Sequence, residues 1–227
     1  VAFLSRHGRG HRLSPSSINY RANIYALKSL GVTQVISVSA VGSMKESIRP
    51  GDVVLPDQFI DLTKRRVSTF FDEGIVAHVG FGEPVCSSVA DVLEQAGRAV
   101  GARLQRGGTY VCMEGPQFST KAESRLYRQW GVDVIGMTNM PEAKLAREAE
   151  LCYATVALAT DYDCWHDDHR DVDIPSIIRV MTENSGKAQR LLARLARDFP
   201  KTHPACPYGS DRVLDTALIT APDTRDP

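Results

Sequence analysis

Two carboxylates, Asp161 and Asp163, follow an apolar run, Val156-Ala157-Leu158-Ala159, in the stretch VALATDYDCWHDDH. On an extended chain, side chains two apart point to one face, so both acids could meet one flat ligand. A heterocycle that shows a ring nitrogen beside an amino group, as adenine does with N7 and its 6-amino group, suits one acid and one acceptor. Helix capping or a solvated turn explains a generic Asp-x-Asp better. Here the apolar lead-in and Trp165 favour a site.

Other segments offer anion chemistry. In SRHGRGH, Arg6 and His7 could hold a phosphate, since a guanidinium presents two donors in a fork. An exposed basic loop is the plainer alternative. RHG after an N-terminal strand is also the signature of histidine phosphatases, where His7 would be phosphorylated. Ser39 and Ala40 in SVSAVGS supply a hydroxyl and a small residue that lets backbone N–H groups approach an anion, although such residues more often just make a tight turn. Thr138 adds another hydroxyl. Phe118 could stack on a base beside Ser119, with core packing the commoner use of a phenyl ring. Met137 and Met140 offer flexible apolar surface that usually fills cores. His166, Asp167, Asp168 and His169 could bind zinc, but no third partner is indicated, so a solvated loop is the stronger reading and no metal site is expected. The five cysteines are widely spaced, form no CxxC and read as buried thiols in a reducing compartment.

These residues need elements to position them. VAFLS reads as a strand into RHGRGH, and SSINYRANIYALKSLG as a helix stopped by Gly31. TQVISVSAVGS reads as a strand ending in a small-residue turn, GDVVLPDQFIDLT as extended, and SSVADVLEQAGRAVG as a helix. GGTYVCMEGP is a strand into a turn. STKAESRLYRQWG is a helix with a Thr120/Glu123 capping box. VDVIGMTNM is a strand, PEAKLAREAE a helix with Pro141 in its first turn, LCYATVALAT a buried strand, and IPSIIRVMTENSGKAQRLLARLARDF a long helix. Strands alternating with helices predict a single α/β domain over residues 1–227, a central mostly parallel or mixed sheet flanked by helices. Ligands of such sheets collect beyond the carboxyl ends of the strands. From residue 200 to 227 the chain reads as an irregular tail, with a short ordered piece around RVLDTALI.

Composition removes several classes. Lys+Arg and Asp+Glu both number 27 in 227 residues, so no global field favours nucleic acid or an anionic membrane. No apolar run reaches the roughly 20 residues of a membrane span, and no signal-peptide pattern opens the chain. A cytoplasmic location is the expectation.

Taken together, RHGRGH…NYRANIYALKSLG, SAVGS…IRPGDVVLPDQFID, EGPQFSTKAES, IGMTNMPEA and ATDYDCWHDDH resemble the 5′-methylthioadenosine phosphorylases of the trimeric purine nucleoside phosphorylase group, in that family's order. The resemblance implies the nucleoside phosphorylase fold and phosphorolysis of methylthioadenosine, with inorganic phosphate as co-substrate and no cofactor or metal. It places Arg6, His7, Ser39, Ala40 and Thr138 at the phosphate, Met137 at the ribose, and Phe118 and Ser119 at the base. Asp161 and Asp163 would be the catalytic, purine-reading acids. Ile174, Ile177 and Ile178 would line a 5′-methylthio pocket, with Leu218 of the tail near it. His78 would reach the neighbouring subunit's site in a homotrimer. Ser39 replaces the family's frequent threonine, and Gln117 stands where some relatives have arginine. The family carries a glycine-rich phosphate loop upstream; the sequence begins after it, at Val1, so an N-terminal segment is expected outside it. A phosphorylase of broader or inosine-type specificity, a histidine phosphatase and a non-catalytic nucleotide-binding module are the alternatives.

Overall fold

A computed structural model describes residues 1–166, 174–200, 202 and 205–225. Seven strands form one sheet: β1 (Gln34–Ser43), β2 (Val53–Leu55), β3 (Gln58–Asp61), β4 (Leu104–Arg106), β5 (Thr109–Cys112), β6 (Val134–Gly136) and β7 (Cys152–Asp161). The helices are α1 (Tyr20–Ser29), α2 (Ser87–Ala99), α3 (Lys121–Gln129), α4 (Asn139–Glu148) and α5 (Ile174–Asp198). Strand order is β3-β5-β6-β1-β7-β2-β4. The joints β1/β6 and β2/β7 are antiparallel and the others parallel, so the sheet is mixed.

The long central pair β1/β7 organises both faces. Even-numbered β7 residues Cys152, Ala154, Val156 and Leu158 pack with Val89 and Leu93 of α2 and Leu191 and Leu195 of α5. Odd-numbered Tyr153, Ala157 and Ala159 pack with Ile24 of α1 and Leu145 and Ala146 of α4. Burial on both sides explains why β7 is a continuous apolar run with no alternation. A third cluster joins Tyr127 of α3 to Val111, Ile135 and Met44, with Trp165 against it.

Several local expectations are corrected. VAFLS is no strand: Val1 is wholly exposed and Phe3 83% exposed, because no sheet edge among the described residues pairs with them. α1 starts at Tyr20, and the serines before it lie around a 3-10 turn, Pro15–Ser17, that uses Pro15 at its start. β1 does not turn after Ser39; it runs through Ala40 and Gly42 to Ser43, with a register shift against β7 at Val41/Gly42. The short strand β4 has no alternating pattern and goes unread. The Thr120/Glu123 capping box is present in full, with the Glu123 N–H donating to Thr120 and the Thr120 N–H to Glu123. The tail is mostly irregular, but Ser210–Asp215 forms a 3-10 turn and Leu218 bridges to Ala77. No described helix is long and apolar enough to cross a membrane.

Candidate active site

The carboxyl end of β7 delivers the acid pair, though not as an extended chain would. The strand ends at Asp161, and Asp163 turns with φ +50. The pair is held by a tight backbone contact instead: the Asp163 N–H donates to Asp161 Oδ1 at 2.8 Å, and Thr160 Oγ1 donates to Asp161 Oδ2 at 2.6 Å. Gly42 permits this closeness. A Cβ there would stand 3.0 Å from Asp161 Oδ1 and 3.0 Å from Ile135 Cγ2, tighter than neighbours tolerate without shifting. Trp165 fastens the following loop. Its Nε1 donates to the Ser43 carbonyl at 2.7 Å, while the Arg128 guanidinium lies 3.6 Å over its ring.

Burial pushes both carboxyls up. For Asp161, burial is opposed by the Thr160 hydroxyl and the Asp163 amide, and the charge of Asp163 adds to the rise. For Asp163, burial is opposed by Ser124, the Cys164 amide and Ser119, with Glu123 adding to the rise. The Ser124 hydroxyl sits beside Asp163 outside good hydrogen-bond geometry, close enough to favour its charged form. Cys164 Sγ lies 3.3 Å from the Ser119 carbonyl, tying the acid loop to the start of α3.

An anion cradle forms from β1, the β6–α4 junction and Arg6. Ser37 and Ser39, two apart on β1, face one side. Arg6 donates to Thr138 Oγ1 at 2.8 Å, Ser37 Oγ at 2.7 Å and Ser39 Oγ at 3.4 Å. Its closest acid is Glu142 at 3.5 Å, itself held by the Tyr153 hydroxyl at 2.9 Å. Burial works most strongly against the Arg6 charge, but Glu142 together with Tyr153, Tyr110 and Tyr20 outweighs it, and its pKa is raised. Ser39 also donates to Asn139 Oδ1 at 3.0 Å. The Ser37 and Thr138 hydroxyls, which accept from Arg6, each carry a proton to donate, so the group is a charged centre ringed by hydroxyls. His7 is less exposed than a surface loop residue. Its Nδ1 meets the Leu13 carbonyl at 2.8 Å and its ring stacks on His11 at 4.0 Å. Burial pushes its pKa down and favours the uncharged ring.

Acid pair and cradle open onto one cleft of about 1480 Å³, lined by Arg6, His7, Ser39, Ala40, Thr138 and Met137, and by Phe118, Asp161, Asp163 and Ile177. Phe118 is 46% exposed, a ring facing open space rather than core. Ser119 is buried behind Asp163. Ile174 and Ile178 are exposed on α5 and do not line the cleft. His78 is also exposed and away from it; its N–H donates to the Ala217 carbonyl at 2.8 Å, zipping its loop to the tail beside Leu218. Of the HDDH cluster only His166 is described; its ring stacks on Tyr162 at 4.7 Å, and Asp167, Asp168 and His169 lie outside the described residues.

Some positioning residues escaped sequence reasoning. Arg66, with a side chain 1% exposed, donates to the carbonyls of Met137 and Met140 at 2.6 Å each and of Glu114 at 2.7 Å. It fixes the segment that presents Met137, yet sits unmarked in a KRR run. Ser37 was findable from the period-two spacing to Ser39. Glu142 was findable as an acid on an otherwise apolar helix face.

The chain matches the phosphorylase superfamily model over residues 1–197. It is 63% identical over 227 residues to the S-methyl-5′-thioadenosine phosphorylase of Bradyrhizobium diazoefficiens, covering all of this chain and 78% of that protein. The chain belongs to the S-methyl-5′-thioadenosine phosphorylase family. A second member, from Koribacter versatilis, is 60% identical over 223 residues, covering 98% of this chain and 75% of that one. Among solved structures of the family, a methylthioadenosine phosphorylase from an antarctic soil metagenomic library superposes with TM-score 0.89 at 51% identity, covering 100% of this chain and 79% of its own. The Schistosoma mansoni methylthioadenosine phosphorylase in complex with adenine superposes with TM-score 0.82 at 34% identity over 86% of this chain and 74% of its own. The fold is that of the nucleoside phosphorylases.

Proposed function

We infer that this chain catalyses phosphorolysis of 5′-methylthioadenosine to adenine and 5-methylthioribose 1-phosphate, a pentosyl transfer to phosphate. The observation that carries the reading is the meeting, in one cleft, of a carboxyl pair, Asp163 buried and Asp161 half-buried, with a guanidinium ringed by hydroxyls. Family membership supports the same activity.

In this reading inorganic phosphate is the co-substrate, and no cofactor takes part in the chemistry. Arg6, Ser39, Thr138, His7 and the Ala40 N–H hold the phosphate. A dianion fixed beside C1′ of the ribose stabilises the cation-like ribosyl group and is placed to attack it. The leaving adenine needs a proton at N7. Asp161, raised by burial and by Asp163, supplies it as general acid. Asp163 accepts from the 6-amino group. A 6-oxo purine would set its carbonyl oxygen against the Asp163 carboxylate, acceptor against acceptor in a buried site, a mismatch that can cost about 10⁴-fold or more. Phe118 stacks on the base with Ser119 bracing Asp163, and the Met137 N–H contacts the ribose. Ile177 gives the 5′ side an apolar wall. Ile174 and Ile178 join that wall, and His78 meets a neighbouring site, in a homotrimer whose subunits cover exposed surfaces of this chain. A cytoplasmic salvage role goes with this chemistry.

Adenine release from methylthioadenosine, measured with and without phosphate, tests the reading. Release that requires phosphate and yields a sugar phosphate supports it. Phosphate-independent release, or no release while adenine still binds, would point to a hydrolase or to a binding module.

A further inference from the structure

Three of the five cysteines, scattered in sequence, meet in space. Cys86 precedes the first residue of α2, Cys152 opens β7 and Cys206 lies in the tail; their Sγ atoms all lie within 4.8 Å of one another. All three are buried, at 1%, 3% and 6% exposure. Ser210 adds an oxygen, its Oγ 3.1 Å from Cys206 Sγ, and is 1% exposed. None of the four lines the substrate cleft.

A charge stands beside them. Arg147 is 4% exposed; its guanidinium donates to the carbonyls of Gly80, at 2.8 Å, and Glu83, and lies over the Phe81 ring. Among the described residues no carboxylate pairs with it. Burial pulls its pKa down, and the sulfurs of Cys206, Cys152 and Cys86 lie near enough to act against that loss. A buried guanidinium without an acid is costly, and an anionic metal centre at this cluster would offset that cost.

We propose that Cys86, Cys152, Cys206 and Ser210 form a structural site for a thiophilic divalent cation of the zinc type, clipping the tail to β7 and α2. Metal–thiolate bonds of about 2.3 Å place sulfurs roughly 4 Å apart, so a small inward rotation of the side chains closes the triangle. On binding one divalent ion the three thiols release three protons to solvent, which leaves one net negative charge for Arg147 to neutralise. The Ser210 hydroxyl, or a water it holds, gives the fourth donor of a tetrahedral site. The site is separate from the phosphorolysis chemistry and does not rest on it.

Cobalt(II) is the probe. The full chain, reduced and freed of metal with a chelator, is titrated with cobalt under exclusion of oxygen. One equivalent should raise intense tetrahedral visible bands and a thiolate charge-transfer band, and one equivalent of zinc should bleach them and raise Tm. Cys152→Ser should abolish the bands, and Cys164→Ser should keep them. Should Cys152→Ser not fold, alkylation of the unaltered protein decides: zinc should protect Cys86, Cys152 and Cys206 from modification and leave Cys164 reactive. Weak octahedral cobalt bands, or protection that does not map to those three thiols, would overturn the site.

Discussion

The backbone N–H of Asp163 donates to the side chain of Asp161 at 2.8 Å, so the two acids are locked by a main-chain contact and not by strand alternation. The chain turns left-handed at Asp163, whose amide lies against the Asp161 carboxyl. This geometry makes Asp161 a carboxyl that both accepts from its neighbour's backbone and is pushed up by its neighbour's charge.

Asp161→Asn separates chemistry from stability. Removal of the acid should lower kcat by about 10²–10⁴-fold. Because the folded pKa of Asp161 is raised above 3.8, its ionisation works against folding. Its favourable contribution is complete below pH 3.8 and is lost as pH rises through the folded value. The neutral amide escapes that loss, so the variant should show a higher Tm than the parent at neutral pH. The difference should shrink as pH falls toward 3.8. Paired thermal melts across pH, alongside kcat, check both signs; a variant less stable at neutral pH contradicts the assignment.

Arg6→Lys keeps a charge but cannot fork to Ser37 and Thr138 together. The KM for phosphate should rise by about 10–100-fold, the worth of one charge-assisted hydrogen bond, with KM for the nucleoside less affected. Arg6→Met should also lose about 3 kcal/mol of stability, because Glu142 stays buried without its cation. Adding Glu142→Gln should recover stability without recovering phosphate affinity. Initial-rate kinetics and denaturant melts of the single and double variants give the answer.

Gly115 is held at φ +62, and a Cβ there would lie 2.5 Å from Met137 Sδ. Gly115→Ala therefore strains the backbone by about 1–2 kcal/mol and pushes on the ribose-side methionine. A Tm fall of about 2–8 °C is expected for a chain of this size, with a raised KM for the nucleoside. An unchanged KM would show that Met137 does not contact the sugar.

Ile177 faces the cleft from α5. Ile177→Ser should narrow the preference for methylthioadenosine over adenosine by about 10-fold or more, since an apolar pocket discriminates through such contacts. Comparison of kcat/KM for the two nucleosides reads this directly. An unaltered ratio would place the methylthio group elsewhere.

How legible this was in the sequence depended on how local each signal is. The β7 run, the amphipathic helices and the capping box at Thr120 rest on neighbours within a few residues, and each is found where the sequence puts it, apart from the later start of α1 at Tyr20. The VAFL run misled because apolarity favours a strand only where an edge exists to pair with. The acid pair was found from its lead-in, although its mutual orientation depends on a positive φ and on the space that Gly42 leaves. Arg66 and the three-cysteine cluster were invisible, because each is assembled from segments tens of residues apart.

The central claim is that Asp161 and Asp163 grip one aminopurine together. Its most direct measurement is kcat/KM for methylthioadenosine against its 6-oxo counterpart, methylthioinosine, in the unaltered protein and in Asp163→Asn. The account predicts a 6-amino preference of about 10⁴-fold that collapses in the variant, as the amide donates to the 6-oxo group. An equal preference in both proteins would contradict it.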